Sequence, residues 1–268
     1  MMPFAGTPTG KLYYEICDLT PPWMEAAQTI IFNHGVAGHI AMWTDWLGVL
    51  AAKYRLVRFD MRGHGESVVP EQGYQWSFDG LVDDVLHVAD AAGAERFHLV
   101  GESIGGTIGI ALALAHPKRL RSLTLSNASP IGGLLGNVNV WREMVKTGSQ
   151  EKWAAQMMQW RFHNNAIDDA AYDWYRDVHE KVSMDVCLDL ADLLLGADFT
   201  ADLSRIEVPT LLLSPDDSPF IPATVMYSMH DTIPGSEMQV FAHSRHGLPL
   251  SHGEECARVL ADFLARRI

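Results

Sequence analysis

Cysteine is scarce in this chain, and the three present, Cys17, Cys187 and Cys256, stand far apart. Without a C-x-x-C pair there is no zinc-ribbon or dithiol redox motif, and the apolar or helical context of each predicts a buried free thiol. Positive charge is also short: 20 Lys and Arg against 33 Asp and Glu leave a formal net charge of −13. So acidic a chain is a poor match for nucleic acid or an anionic membrane, and neither is expected as a partner. An anionic small substrate stays open, because a few arginines suffice for a local positive pocket. No apolar run approaches membrane-spanning length, and no basic N-terminal segment leads into a long apolar one, so a cytoplasmic protein is expected. Internal repeats and low-complexity tracts are missing as well.

What is present is a chain of 268 residues, 48% hydrophobic, within the range of one large α/β domain. Apolar runs alternate with helical patterns. Strands are expected at 29–33, 54–60, 96–100, 120–125, 209–213 and 237–241, and the alternating stretch 11–16 reads as an antiparallel edge strand. A helical stripe runs from Phe78 to Ala91 and stops before Gly93. Another helix is expected from Gly106 to His116, and the chain closes on the stripe Cys256, Val259, Leu260, Phe263, Leu264. Strand–helix–strand order requires crossovers, which implies a mostly parallel sheet with helices on both faces.

Residues 130 to about 200 break this rhythm, with no strand but many aromatics and methionines, including Trp141, Met144, Trp153, Met157, Met158, Trp160, Phe162 and Trp174. The stretch reads as a helical cap (130–200) inserted into a core formed by 1–129 and 201–268, over the sheet edge where open α/β sheets bind ligands. Most of its aromatics are expected to pack between cap and core. Trp141, Trp160 and Arg161 are the candidates to face a substrate, with Arg142 a further cation there.

Gly101-Glu-Ser-Ile-Gly105 fits G-x-S-x-G, between an expected strand and an expected helix. The glycines leave room for a strained turn that lifts the Ser103 hydroxyl to a helix N-terminus, where free N–H groups favour a developing anion. Ser103 is therefore the candidate nucleophile. The Ile104 N–H and the Val36 N–H, from the loop His34-Gly35-Val36, are the candidate oxyanion donors. His34 is expected to hold that loop rather than act as a base. The base should lie on a loop after the last strand. Among His243, His246 and His252, the mid-loop His246 fits best, because His243 follows the strand too closely and His252 approaches the last helix. No histidine pair stands beside acids at metal-ligand spacing, so no metal is expected.

The loop H-G-V-A-G, the segment F-D-M-R-G-H-G-E-S (59–67), the elbow G-E-S-I-G-G, V-P-T-L-L-L-S and the tail R-H-G-L-P-L-S-H-G-E-E together resemble the α/β-hydrolase superfamily over nearly the whole chain. L-T-L-S-N-A-S (123–129) and the run before the seventh strand are most similar to its 3-oxoadipate enol-lactonase-like branch. The resemblance implies the α/β-hydrolase fold, a cap after strand six and an acid after strand seven. Laid on Val208 to Pro222, the family's pattern puts Pro215 where a glycine belongs and Ser218 where the acid belongs. The other position that relatives use, after strand six, holds Asn127. Asp217, one residue early on the same loop, is the expected acid, with Asp216 in reserve and a triad lacking any acid as the third possibility. The expectation is a cofactor-free serine hydrolase of an ester or lactone of a small, partly apolar metabolite. A C–C bond or amide hydrolase on the same machinery, or a slow-turnover ligand sensor, is the alternative.

Overall fold

The structure, a computed structural model, describes residues 3–24, 26–147 and 149–267. Residues 1, 2, 25, 148 and 268, which fall in the ranges expected for core and cap, lie outside the described residues.

Among the described residues, eight strands form one sheet: β1 (Phe4–Thr7), β2 (Gly10–Cys17), β3 (Thr29–Asn33), β4 (Arg55–Phe59), β5 (Phe97–Glu102), β6 (Leu120–Ser126), β7 (Thr210–Pro215) and β8 (Glu237–Phe241). Their order is β1-β2-β4-β3-β5-β6-β7-β8, and every pairing from β4 onward is parallel. The stretch at 11–16 is antiparallel as expected but is not the edge. β1 covers it, with Phe4 opposite Tyr13; four residues with one buried side chain carry too little pattern to be read in advance.

The central strands are buried on both sides, and their alternation shows it. Ile31, Leu99 and Leu212 face one apolar cluster, shared with helices α2 (Phe78–Ala91) and α3 (Ile104–Ala115). Their neighbours Ile30, Phe32, Val100, Leu211 and Leu213 face a second one, with Trp46 of the short helix α1 (Thr44–Leu50) after β3 and with Cys256, Leu260 and Phe263 of the C-terminal helix Gly253–Arg267. Strand residues of period two thus feed two layers, which explains why these runs read as continuously apolar. The chain has the α/β-hydrolase fold. Among the described residues no helix is long and apolar enough to cross a membrane.

Among the described residues, four α-helices lie between β6 and β7: α4 (Val138–Thr147), α5 (Gln150–Arg161), α6 (Asp169–Lys181) and α7 (Met184–Leu195). The two ends of this insertion are tied together at its base. Gly132 N–H donates to Ala197 O at 2.9 Å, Phe199 N–H donates to Pro130 O at 2.8 Å, and Ile131 bridges Asp198.

β5 runs two residues past its expected end, and α3 starts two residues before its expected start, so Ser103 alone joins them. This abrupt junction needs its glycines. A Cβ on Gly105 would stand 2.3 Å from Asn33 O, and one on Gly101 2.3 Å from Gly105 O. Gly105→Ala is expected to push α3 off β3 and cost about 1–3 kcal/mol of stability, as overpacking does; thermal denaturation checks this.

Candidate active site

Ser103 has φ 55 and ψ −121, a conformation that L-residues avoid unless the surroundings impose it. Here β5, α3 and the tight glycine contacts impose it, and the residue caps no helix N–H with its own hydroxyl. Among the described residues, the Ile104 and Val36 N–H groups meet no hydrogen-bond acceptor, while Ala37 N–H is taken by His64 Nε2 at 3.0 Å. Ser103 and Val36 line one cavity with His246, Arg161, Trp141, Met157 and Phe220. Apart from Ser103, His246 and Arg161 the lining is apolar.

His34 does hold the loop. Its Nδ1 bonds Gly35 O at 2.8 Å, and its Nε2 accepts the Met61 N–H at 3.0 Å. Full burial pushes its pKa down to about 3, so the ring is neutral and fits a donor on one side and an acceptor on the other. Asp60 completes the clamp by accepting the Ile40 N–H at 3.0 Å and the Glu66 N–H at 3.1 Å.

His246 sits 3% exposed in the loop after β8, with the Phe220 ring edge-on at 4.8 Å. Burial first, and Arg161 second, hold its pKa well below the usual histidine value, so it is a neutral imidazole at pH 7. The expected acid is not beside it. Asp217 is 59% exposed, its Oδ2 accepting from Arg245 Nε at 3.1 Å and standing 3.4 Å from His163 Nε2. Asp216 is occupied otherwise, accepting the His243 N–H at 2.8 Å and the Ser244 N–H at 2.9 Å. The physical reason lies in the turn. His243 takes φ 57, and the two N–H groups this exposes are capped by Asp216, which shapes the loop that carries His246 and turns the next side chain outward. Asp217→Asn is accordingly expected to change kcat less than about threefold, as for other exposed ion pairs; steady-state kinetics on any turned-over ester checks it.

Nδ1 of His246 instead faces Asn127, whose Nδ2 lies 2.6 Å away and donates to Ser218 Oγ at 2.9 Å. Ser218 Oγ is itself 3.5 Å from Nδ1 and accepts the Ile221 N–H at 3.2 Å. The two positions that the family pattern singles out thus converge on the imidazole, with neither acidic. Asn127 reaches it because β6 ends there in a left-handed turn, φ 43, that asparagine tolerates. Its Oδ1 is buried without a partner. With Nδ2 toward Nδ1, the ring carries its proton on Nε2. A half-turn of the amide would let Oδ1 accept Nδ1–H and free Nε2 as a base.

On the other side of the ring, Nε2 stands 3.4 Å from Glu102 Oε1, and no hydrogen bond joins it to Ser103. Glu102 is the residue that sequence reasoning passed over. It occupies the variable position of G-x-S-x-G, where no pattern flags a residue, yet the extension of β5 buries it fully. Arg161 is 1% exposed, with Nη2 donating to Val36 O at 2.7 Å, Nε donating to His179 Nε2 at 3.0 Å, and Nη1 3.6 Å from Glu102 Oε1. It therefore ties the insertion to the candidate oxyanion loop. Trp141, 4% exposed, lines the cavity. Trp160 does not; it packs edge-on behind Phe220 at 5.3 Å. Arg142 is turned away to pair with Asp192 at 2.9 Å. Among the described residues no group of three or more His, Cys, Asp or Glu side chains is placed to hold a metal ion.

Comparison with known proteins agrees with this architecture. A family model described as alpha/beta hydrolase fold matches residues 28–143. A protein named "Putative carbamate hydrolase RutD" from Azorhizobium caulinodans is 29% identical over 248 residues, 88% of either chain. Its namesake from Yersinia enterocolitica is 25% identical over 263 residues, 94% of this chain and 92% of its own. Among solved structures, the enol-lactonase from Burkholderia xenovorans LB400 has a TM-score of 0.88 at 23% identity, covering 98% of this chain and 100% of that one. A hydrolase from Pseudomonas aeruginosa PA01 has a TM-score of 0.86 at 24% identity, covering 98% of each. On its sheet order and on these likenesses, the chain has the α/β-hydrolase fold and is similar to hydrolases built on it.

Proposed function

We propose that the protein is a serine hydrolase that cleaves an ester or lactone of a small, partly apolar metabolite without a cofactor, beneath a cap formed by residues 130–200. The observation that carries this reading is Ser103 held at φ 55 at the start of α3, in one cavity with His246 and with the partnerless Val36 and Ile104 N–H groups adjoining it. With the Asn127 amide turned so that Oδ1 accepts Nδ1–H, Ser103 Oγ attacks the acyl carbonyl and its proton passes to the free His246 Nε2. The carbonyl electron pair moves onto oxygen, where the two N–H groups receive it. The leaving alkoxide takes the proton from Nε2, and water repeats the sequence on the acyl-enzyme.

The cavity, about 30 Å³, has room for a water or two, so holding an ester requires the insertion or the Phe220 segment to shift. That motion would also bring Nε2 to Ser103, a bond that commonly tightens only in the substrate complex. The apolar lining supports a partly apolar acyl group. The names of the relatives add carbamates to esters and lactones as acyl compounds to try.

The test is turnover of p-nitrophenyl esters, small lactones and aryl carbamates, with mass spectrometry of protein stopped during turnover. Sustained hydrolysis and one acyl adduct on Ser103 are expected. Hydrolysis without any Ser103 adduct would overturn the serine mechanism. A single burst followed by no turnover would favour a ligand sensor instead.

A further inference from the structure

Glu102 is a buried carboxylate that is poorly satisfied. It is 0% exposed, and among the described residues neither oxygen has a well-formed hydrogen bond, with only the Gly35 amide and the Arg161 guanidinium nearby. Buried acids are costly unless bonded or paired, and an apolar residue could fill this space at no such cost. The fold nevertheless makes room for it: Gly35 has no side chain where a Cβ would come within 2.1 Å of Oε2. What the carboxylate does face is the reacting centre, with Oε1 3.4 Å from His246 Nε2 and 3.6 Å from Arg161 Nη1. The opposite edge of the imidazole, meanwhile, meets the uncharged Asn127 and Ser218.

We infer that Glu102 is the anionic partner of His246, stabilising the imidazolium from its Nε2 side and supplying the charge that Asn127 cannot. The inference rests on Ser103 being the nucleophile. As the Ser103 Oγ–acyl bond forms, the hydroxyl proton moves to Nε2, and the resulting cation lies against Oε1. When the leaving group takes that proton the imidazole is neutral again, and Glu102 neither gains nor loses a bond. It acts through His246 and is a positioning residue.

The groups around Glu102 set its ionisation. Arg161 faces it from α5, with Tyr175 and His179 behind Arg161 on α6. His246 faces it from the loop after β8, and from the loop after β3 come the Gly35 amide and the neutral His34. Burial raises the carboxyl to about 7, against the pull of Arg161 and of the Gly35 amide. Only the ionised form can stabilise the imidazolium, so kcat should rise with pH through the region near 7.

The experiment measures kcat and KM on a p-nitrophenyl ester across roughly pH 5.5–8.5 for the parent, Glu102→Gln and Glu102→Asp. Fluorophosphonate labelling of Ser103 is followed in each. Glu102→Gln is expected to lower kcat about thirtyfold with little change in KM, and to flatten the limb near neutrality. Glu102→Asp, which keeps the charge, should keep the limb. A parent profile flat across this range, or a Gln variant with the parent's kcat and limb, overturns the inference. Should the Gln variant not fold, the parent profile and the Asp variant still decide: an Asp variant without the limb counts against it. If the parent itself neither labels at Ser103 nor turns over, the serine mechanism fails first, and the two failures are thereby distinct.

Discussion

Asn127→Asp is expected to raise kcat by about 100-fold on an ester the parent already turns over. Exchanging the acid of a complete triad for its amide costs about 10⁴, because the imidazolium loses its counter-charge and the ring its working tautomer. Here the amide is already in place, 2.6 Å from Nδ1. An aspartate there would accept Nδ1–H, fix the proton on that nitrogen and leave Nε2 free to take the proton of Ser103. The Ser218 hydroxyl, 2.9 Å from the present amide, would satisfy the second lone pair. The expected gain is smaller than the cost in a protease because the new carboxylate is buried and because Glu102 already faces the ring. The substitution should also raise the pKa of His246, which burial and Arg161 now hold well below its usual value. A neutral ring is the active base, so the variant should lose activity on the acid side at a higher pH than the parent. Parallel kcat–pH profiles are the measurement. A fall in kcat would mean that Asn127 works as a donor to Nδ1, which leaves the ring proton on Nε2 and rules that nitrogen out as the base for Ser103.

Ser103→Ala has the largest expected effect of all. Removing the nucleophile of a triad enzyme costs on the order of 10⁶ in kcat, and in a site that lacks the usual acid the loss should be about 10⁴ or more, down to what the oxyanion donors and binding alone sustain. The backbone strain at φ 55 is the same for alanine as for serine, so the melting temperature should stay close to the parent's. Loss of both turnover and covalent labelling, with the fold retained by circular dichroism, is the expected result. A variant that kept the parent's kcat would remove Ser103 from the chemistry, whatever the turn geometry suggests.

Much of this molecule was legible before any coordinates. The alternation of apolar runs with helical stripes predicted the parallel sheet, because a strand buried on both faces cannot hide its composition: Ile30, Ile31 and Phe32 supply two layers at once. The glycines of G-E-S-I-G were equally readable, since van der Waals exclusion at Gly101 and Gly105 leaves no other residue type. His246 stood out by its distance from the last strand and the last helix. Trp141 could be picked out as a pocket residue, while Trp160 could not be told apart from it, because a helix of mixed character presents aromatics both to the cavity and to the layer behind.

The partner of His246 was not legible, and the reason is physical. An aspartate has much the same composition signal whether it faces an imidazole or caps a turn. In S-P-D-D-S-P-F-I-P the two acids look equivalent, and the register of the loop alone separates them. That register follows from the left-handed turn at His243, whose exposed N–H groups Asp216 must satisfy, which leaves Asp217 in solvent with Arg245. Local sequence thus determined the sheet, the strained serine and the loop histidine, because each depends on sterics and burial within a few residues. The polar groups around the imidazole are those of Asn127, Ser218, Glu102 and Arg161, which come from four separate segments. Their distances exist only once the sheet has closed and the insertion has laid Arg161 over the end of β5, so packing of distant segments decided what local pattern could not.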